Sequence, residues 1–429
     1  MLTYLKNPGE GDLHALFKRA AASLADIGEQ VNDILEQVET QGDMALHAFS
    51  QKYDKVSLSG FEIDPTEISK AEKQLPEALC QAMRLAAANI SAFHKAQAEA
   101  QREIETMPGV RCWRKSIAIE RVGLYIPGGS APLFSTLLML GIPAQLAGCK
   151  EVILCTPPGQ NGEVHPAILF AAHLTGIKRI FRVGGAQAIA AMAFGTESIP
   201  KVDKLFGPGN AWVTLAKQLV SAKGVAIDLP AGPSELAILA DETANASFVA
   251  ADLLSQAEHG PDSQVLLVSN SELLIEEVMA ALELQLKDLP RKAIARKALA
   301  HSFVLLVENL HEGMELINRY APEHLIINCK NEDELVTLVQ NAGSVFLGQF
   351  SPESAGDYAS GTNHTLPTMG FARSYSGVSL DSFVKKITFQ RISAHGLQNI
   401  GPAVEQMAEA EGLSAHRNAV SIRLKQIEK

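Results

Sequence analysis

From about residue 120 the chain alternates short apolar runs with helix-length segments, and this rhythm restricts it to few architectures. The first series of runs is Val122–Ile126, Glu151–Cys155, Arg179–Val183 and Val225–Leu229. A second series is Leu236–Ala240, Val265–Val268, Phe303–Val307, Leu325–Cys329 and Ser344–Leu347. Runs that are apolar along their whole length are strands buried on both faces. Strand–helix–strand repetition then predicts mainly parallel sheets covered by helices on both sides. The fold class expected is α/β, with two Rossmann-like domains joined near Pro230–Ser234 and a crevice between them for ligand.

The remaining segments differ in texture. Residues 12–105 are predicted mostly helical, with apolar residues at helical spacing through Val31–Leu35 and an alanine-dense stretch from Leu79 to Ile90. Residues 348–378 are rich in Gly, Ser, Pro and Thr without apolar periodicity, and so long a stretch is usually functional or disordered. Residues 380–429 are predicted helical, with too modest a core to stand alone, so they are expected to pack on something else, such as a second subunit.

At 429 residues the chain exceeds one ordinary domain, and 47% hydrophobic against 20% charged residues is a globular composition. A formal charge of −11 without a Lys/Arg-rich run makes nucleic acid a poor partner. No apolar run is long enough to span a bilayer, and the start lacks a signal-peptide layout, so a cytoplasmic protein is expected. Cys80, Cys112, Cys149, Cys155 and Cys329 form no CxxC pair, which argues against both a disulfide framework and a thiolate zinc cage.

Several polar clusters interrupt this background. Gln256 and His259 are three residues apart where an apolar helix is expected to end, a spacing that puts an amide oxygen and an imidazole on one face, as metal ligands require. Glu323 and His324 follow Pro322, which biases Ala321 away from helical dihedrals and ends the preceding helix. The pair is then expected just ahead of a strand, although such a dipeptide in isolation is most often a solvated turn. Asp357 lies in the polar stretch, where an Asx-turn is the plain alternative. Glu411 and His416 bracket a glycine in the helical tail. Pro127–Pro132, Val183–Gln187 and Gly207–Asn210 are Gly-rich turns between strand and helix that let backbone N–H groups approach an anion. None matches G-x-G-x-x-G, and tight βα turns alone account for them equally well.

Taken together, these segments closely resemble the histidinol dehydrogenases from about residue 20 to the C-terminal region. The likeness is carried by Val122–Pro132, Phe206–Asn210, Leu229–Glu235, Ser255–Ser263, Ala321–Leu325 and Gly356–His364. The resemblance implies NAD-linked oxidation of L-histidinol through L-histidinal to L-histidine, with one zinc ion per subunit held by Gln256, His259, Asp357 and His416. It implies His324 as the base that removes the alcohol proton and Glu323 as the group that activates water on the aldehyde. Ser234, Glu411 and His364 would join the metal ligands and His324 in holding substrate, while Tyr125, Gln187 and Asn210 would contact NAD. It further implies a homodimer whose tail completes the partner's site. The domains expected are residues 1–20 as a helical segment, 21–124 with 235–373 as a first α/β domain, 125–234 as the NAD-side domain, and 374–429 as the tail.

Two other readings compete. A related zinc- and NAD-dependent enzyme acting on another small alcohol, such as a sulfonated diol, is disfavoured by Glu411, whose charge suits a cationic substrate. A zinc hydrolase would need only Glu323 and a metal-bound water, without nicotinamide.

Overall fold

The computed structural model describes residues 2–17, 19, 24–128, 132–229 and 232–428. Its strands, in chain order, are β1 (Thr3–Lys6), β2 (Glu103–Met107), β3 (Val110–Ala118), β4 (Arg121–Tyr125), β5 (Glu151–Thr156), β6 (Arg179–Arg182) and β7 (Lys204–Phe206). They continue as β8 (Ala226–Ile227), β9 (Glu235–Ala240), β10 (Gln264–Ser269), β11 (Phe303–Leu306), β12 (His324–Asn328), β13 (Ser344–Leu347) and β14 (Val384–Ile392). Two parallel sheets result. One has five strands in the order β6-β5-β4-β7-β8, and the other six in the order β1-β11-β10-β9-β12-β13.

In each sheet the first strand of its αβ series lies centrally, β4 between β5 and β7, and β9 between β10 and β12. The chain therefore winds outward in both directions, which is the Rossmann-like topology expected. The strands are apolar because helices bury both faces. The five-stranded sheet is covered on one side by helices Glu77–Lys95, Phe134–Ala147 and Pro166–Leu174, and on the other by Leu24–Gln41, Gly185–Phe194 and Ala211–Ala222. The six-stranded sheet is likewise enclosed, with Ala246–Ala257 and Glu272–Asp288 on one face and Leu310–Tyr320 on the other.

Three expectations need correction. Residues 3–6 are not helical: they add a strand to the edge of the six-stranded sheet beside β11, and among the described residues of this segment the helix is Glu10–Leu16. The helices of 24–95 share their cores with the five-stranded sheet, so the packing does not group 21–124 with 235–373. Finally, the predicted helical tail begins as a strand. β14 pairs antiparallel with β3, which pairs with β2, in a small third sheet. Only beyond it do helices Ala394–Ala410 and Ser414–Ile427 form a hairpin. The linker residues 230–231 and the turn residues 129–131 lie outside the described residues.

Candidate active site

The two large sheets meet end to edge. Gly207 and Pro208 after β7, Asp228 and Leu229 after β8, and Ser135 and Thr136 at the start of the helix after β4 lie at the carboxyl edge of the five-stranded sheet. Facing them is the amino edge of the six-stranded sheet, where His324 is the first residue of β12 and pairs in register with Leu236 of β9. Between the two edges is a cavity of about 190 Å³, walled on its third side by residues 357–368. Ligands of open α/β sheets usually sit beyond carboxyl ends, so only one sheet here follows that habit.

Local sequence places each side chain. Helix Ala246–Ala257 returns from the far end of β9, so its last turn reaches the amino edge and carries Gln256, fully buried. His259 lies just past the helix cap rather than on the helix face, its N–H bonded to the Gln256 carbonyl at 3.2 Å. Its side chain is half-exposed at the cavity rim. Helix Leu310–Tyr320 stops at Ala321, whose φ of 53° is left-handed, and Pro322 has no N–H with which to continue. The chain thus turns directly into β12 with Glu323 and His324 buried at its head. The expected polar loop contains a short helix, Glu353–Tyr358, that presents Glu353 and Asp357 one turn apart on one face.

The polar groups converge closely. His324 Nδ1 is 3.2 Å from the Glu235 carbonyl, so in the neutral ring this nitrogen carries the proton and Nε2 the lone pair. Among the described residues Nε2 has no hydrogen-bond partner and lies 3.4 Å from Asp357 Oδ1, which is likewise unpartnered there. Glu323 accepts the Glu235 N–H at 2.9 Å and lies 3.6 Å from His324 Nδ1. The Gln256 amide is held between the Glu353 carboxylate, to which it donates, and the Glu235 N–H, whose hydrogen bond its oxygen accepts at 2.9 Å. His364 connects Thr136 Oγ1 and the Asp357 carbonyl, each at 2.9 Å.

Burial pushes the Glu323 carboxyl up to about 8, against the pull of His324, and pushes Glu353 to about 8 in the same way. Burial works against the charged imidazole of His324, yet Glu353, Glu323 and Asp357 outweigh it and raise the group to about 10. Three carboxyl groups around one imidazole make a receptacle for a cation, whose charge would favour their ionised forms. His259, Glu353 and Asp357 bring ligand atoms within 4.8 Å of one another, and Gln256 adds an oxygen beside them. Nitrogen and oxygen donors with two unpartnered buried atoms between them fit a divalent ion such as zinc.

The cavity is also lined by Ser234 and His364. It does not gather Glu411 and His416, which are exposed on the tail hairpin. Tyr125, Gln187 and Asn210 belong to the five-stranded unit. Tyr125 ends β4 and its hydroxyl accepts the Gly185 N–H at 3.0 Å. Gln187 is buried in the following helix. Asn210 caps helix Ala211–Ala222 through its side-chain oxygen. Gly207, with φ of 128°, passes so close to Tyr125 that a Cβ would lie 2.0 Å from its carbonyl oxygen, so only glycine fits. Glu353, Thr136 and Asp228 escaped the sequence reading. For Glu353 the signal was present, an acid four residues before Asp357.

A larger concavity of about 900 Å³ lies on the small antiparallel sheet, lined by Trp113, Arg114 and Phe389. It gathers no such cluster of acids and imidazoles.

The sequence model of the histidinol dehydrogenase family matches residues 17–424. The chain belongs to that family. It is 57% identical over 425 residues to a histidinol dehydrogenase of Bacteroides fragilis, covering 99% of both chains, and 56% identical to that of Bacteroides thetaiotaomicron, again at 99% of each. A crystal structure of histidinol dehydrogenase from Elizabethkingia anophelis superposes with a TM-score of 0.98 at 52% identity, covering 100% of this chain and 99% of that one. Membership makes the chain an NAD-dependent oxidoreductase, and the clefted pair of Rossmann-like units is the scaffold that such chemistry needs.

Proposed function

We infer that the chain oxidises L-histidinol through L-histidinal to L-histidine, the last steps of histidine biosynthesis, with NAD as acceptor. One observation carries the reading. Gln256, His259, Glu323, His324 and Asp357 line one small cavity, in a chain 57% identical to a histidinol dehydrogenase along almost its full length.

The residues divide the work as follows. His324, with Nδ1–H on the Glu235 carbonyl, would offer the Nε2 lone pair to the alcohol proton once a bound cation offsets the carboxylates that otherwise favour its charged form. Bound NAD would supply the hydride acceptor for each of the two oxidations. Glu323 takes a proton from a water molecule as that water adds to the aldehyde, and its position 3.6 Å from His324 lets the two groups share a substrate carbon. His324 then removes a proton from the hydrate, and loss of the second hydride leaves the carboxylate. Asp357, held ionised against its burial by the histidines around it, gives the cavity a sign that favours a cationic amine and repels a sulfonate, so a sulfonated diol is the weaker substrate.

Gln256, His259 and Asp357 are the groups we assign to zinc, which would hold substrate by its imidazole and amino nitrogens; Glu353 is close enough to compete for or orient this set. We assign His416 as the fourth ligand and Glu411 as a substrate contact, both from a second copy. In support, both are exposed, and Met407, Leu413 and Ile422 of the same helical hairpin leave apolar side chains in solvent. Ser234 and His364 complete the substrate contacts, and Tyr125, Gln187 and Asn210 are assigned to NAD. Five unbridged cysteines support a cytoplasmic setting. The test is reduction of NAD by histidinol with zinc quantified on the same sample. Two equivalents of reduced cofactor per histidinol are expected, and absence of turnover with zinc bound would reject the assignment.

A further inference from the structure

Glu235 touches the cavity's working groups without facing the cavity itself. Its backbone N–H donates to Glu323 at 2.9 Å and lies 2.9 Å from the Gln256 amide oxygen, and its carbonyl accepts from His324 at 3.2 Å. Three side chains given roles above are therefore held by one peptide unit on either side of a single Cα.

What fixes that backbone is the side chain. The Glu235 carboxylate is buried, and it receives Arg19 Nε at 2.5 Å, Arg19 Nη2 at 3.1 Å and the Met369 N–H at 2.8 Å. Arg19 is buried too, with its guanidinium 4.1 Å above the Tyr320 ring and Nη2 bonded to the Tyr320 carbonyl at 2.5 Å. Tyr320 closes the helix that delivers Glu323 and His324, and Met369 follows the wall segment that carries His364, Thr365 and Thr368. A forked pair from Arg19 thus joins the head of β9, the approach to β12 and the cavity wall. Buried ion pairs add little net stability over apolar residues of equal volume, so stability alone is a weak reason for this one. Planar two-point geometry is what arginine and carboxylate do supply.

We propose that Arg19 and Glu235 are positioning residues for the oxidation, aligning the His324 imidazole and the Glu323 carboxylate through the Glu235 backbone. The proposal rests on the roles assigned to His324 and Glu323. Loss of such a support typically costs about 10- to 100-fold in activity.

The test is a double-mutant cycle on the whole enzyme with zinc supplied. The neutral pair Arg19→Met with Glu235→Gln avoids stranding one buried charge, and it is made in wild-type and His324→Asn backgrounds. Expected in the wild-type background are native circular dichroism, KM for histidinol within about threefold, and kcat lowered by about 10-fold or more. In the His324→Asn background the same pair should change the residual rate by less than about twofold. Unchanged kcat, or the same factor lost in both backgrounds, overturns the proposal. Should the neutral pair not fold, Arg19→Lys serves instead: it keeps the charge but loses the fork, and wild-type kcat in that variant is equally fatal. A His324→Asn enzyme with near-normal turnover would instead remove the functional assignment beneath it.

Discussion

At the scale of single residues, the ring of His324 is defined by what each nitrogen meets. A carbonyl on Nδ1 fixes the tautomer of the neutral ring, and Nε2, 3.4 Å from Asp357 Oδ1, has no hydrogen-bond partner among the described residues. His324→Asn should therefore cut alcohol oxidation by about 10²–10⁴-fold while zinc content stays near one per subunit; measured loss of zinc would make His324 a ligand instead. Glu323→Gln keeps the hydrogen bond from Glu235 but cannot accept a proton. It should slow aldehyde conversion far more than alcohol oxidation, as followed with histidinal and histidinol separately. Asp252 gives a stability prediction. Burial raises its carboxyl to about 7, so between the ordinary aspartate value and pH 7 the native state binds more protons than the unfolded chain. Stability from this group is present at low pH and declines as pH rises through that window. Asp252→Asn should then stabilise the protein by on the order of 1 kcal/mol above pH 7 and hardly at all at pH 4, read from melting curves at both pH values.

At the scale of elements, helix ends do most of the placing. The last turn of Ala246–Ala257 delivers Gln256, the left-handed stop at Ala321 delivers Glu323 and His324, and the short helix at 353–358 delivers Glu353 with Asp357. Asn210 has one observed duty at a helix start, its oxygen capping the helix, and a proposed second, its amide donating to the cofactor. Asn210→Asp keeps the cap and would set a negative charge against the anionic cofactor proposed to bind there. Little change in melting temperature with a several-fold higher KM for NAD is expected, whereas Asn210→Ala should also lose about 1 kcal/mol of stability. The strand β14 shows where element reading stopped. Most of its residues are exposed, and its partner β3 is remote in sequence, so no run of buried apolar residues announces it.

At the scale of the molecule, the cavity exists because the carboxyl edge of one sheet abuts the amino edge of another. Phe383 of the tail stacks on Phe206 of β7, but the helical hairpin beyond packs on itself and on the small antiparallel sheet, leaving Glu411 and His416 in solvent. If the tail serves a second copy, mixing His416→Ala with His324→Asn subunits restores one intact site per heterodimer. Roughly a quarter of wild-type activity is expected for equal, random mixing. No recovery, with heterodimers verified by mass, would reject the exchanged tail.

Periodicity alone determined the two parallel sheets, because residues buried on both faces must be apolar along their length, and that pattern is local. The Glu-His pair at a strand head was equally legible, since a proline must end the helix before it. The tertiary structure decided that Arg19, Glu235 and Glu353 belong to the same working assembly, and that early helices 24–95 cover the five-stranded sheet. Those facts depend on contacts between distant segments, in which geometry in space, and no spacing along the chain, sets which polar groups share a buried site.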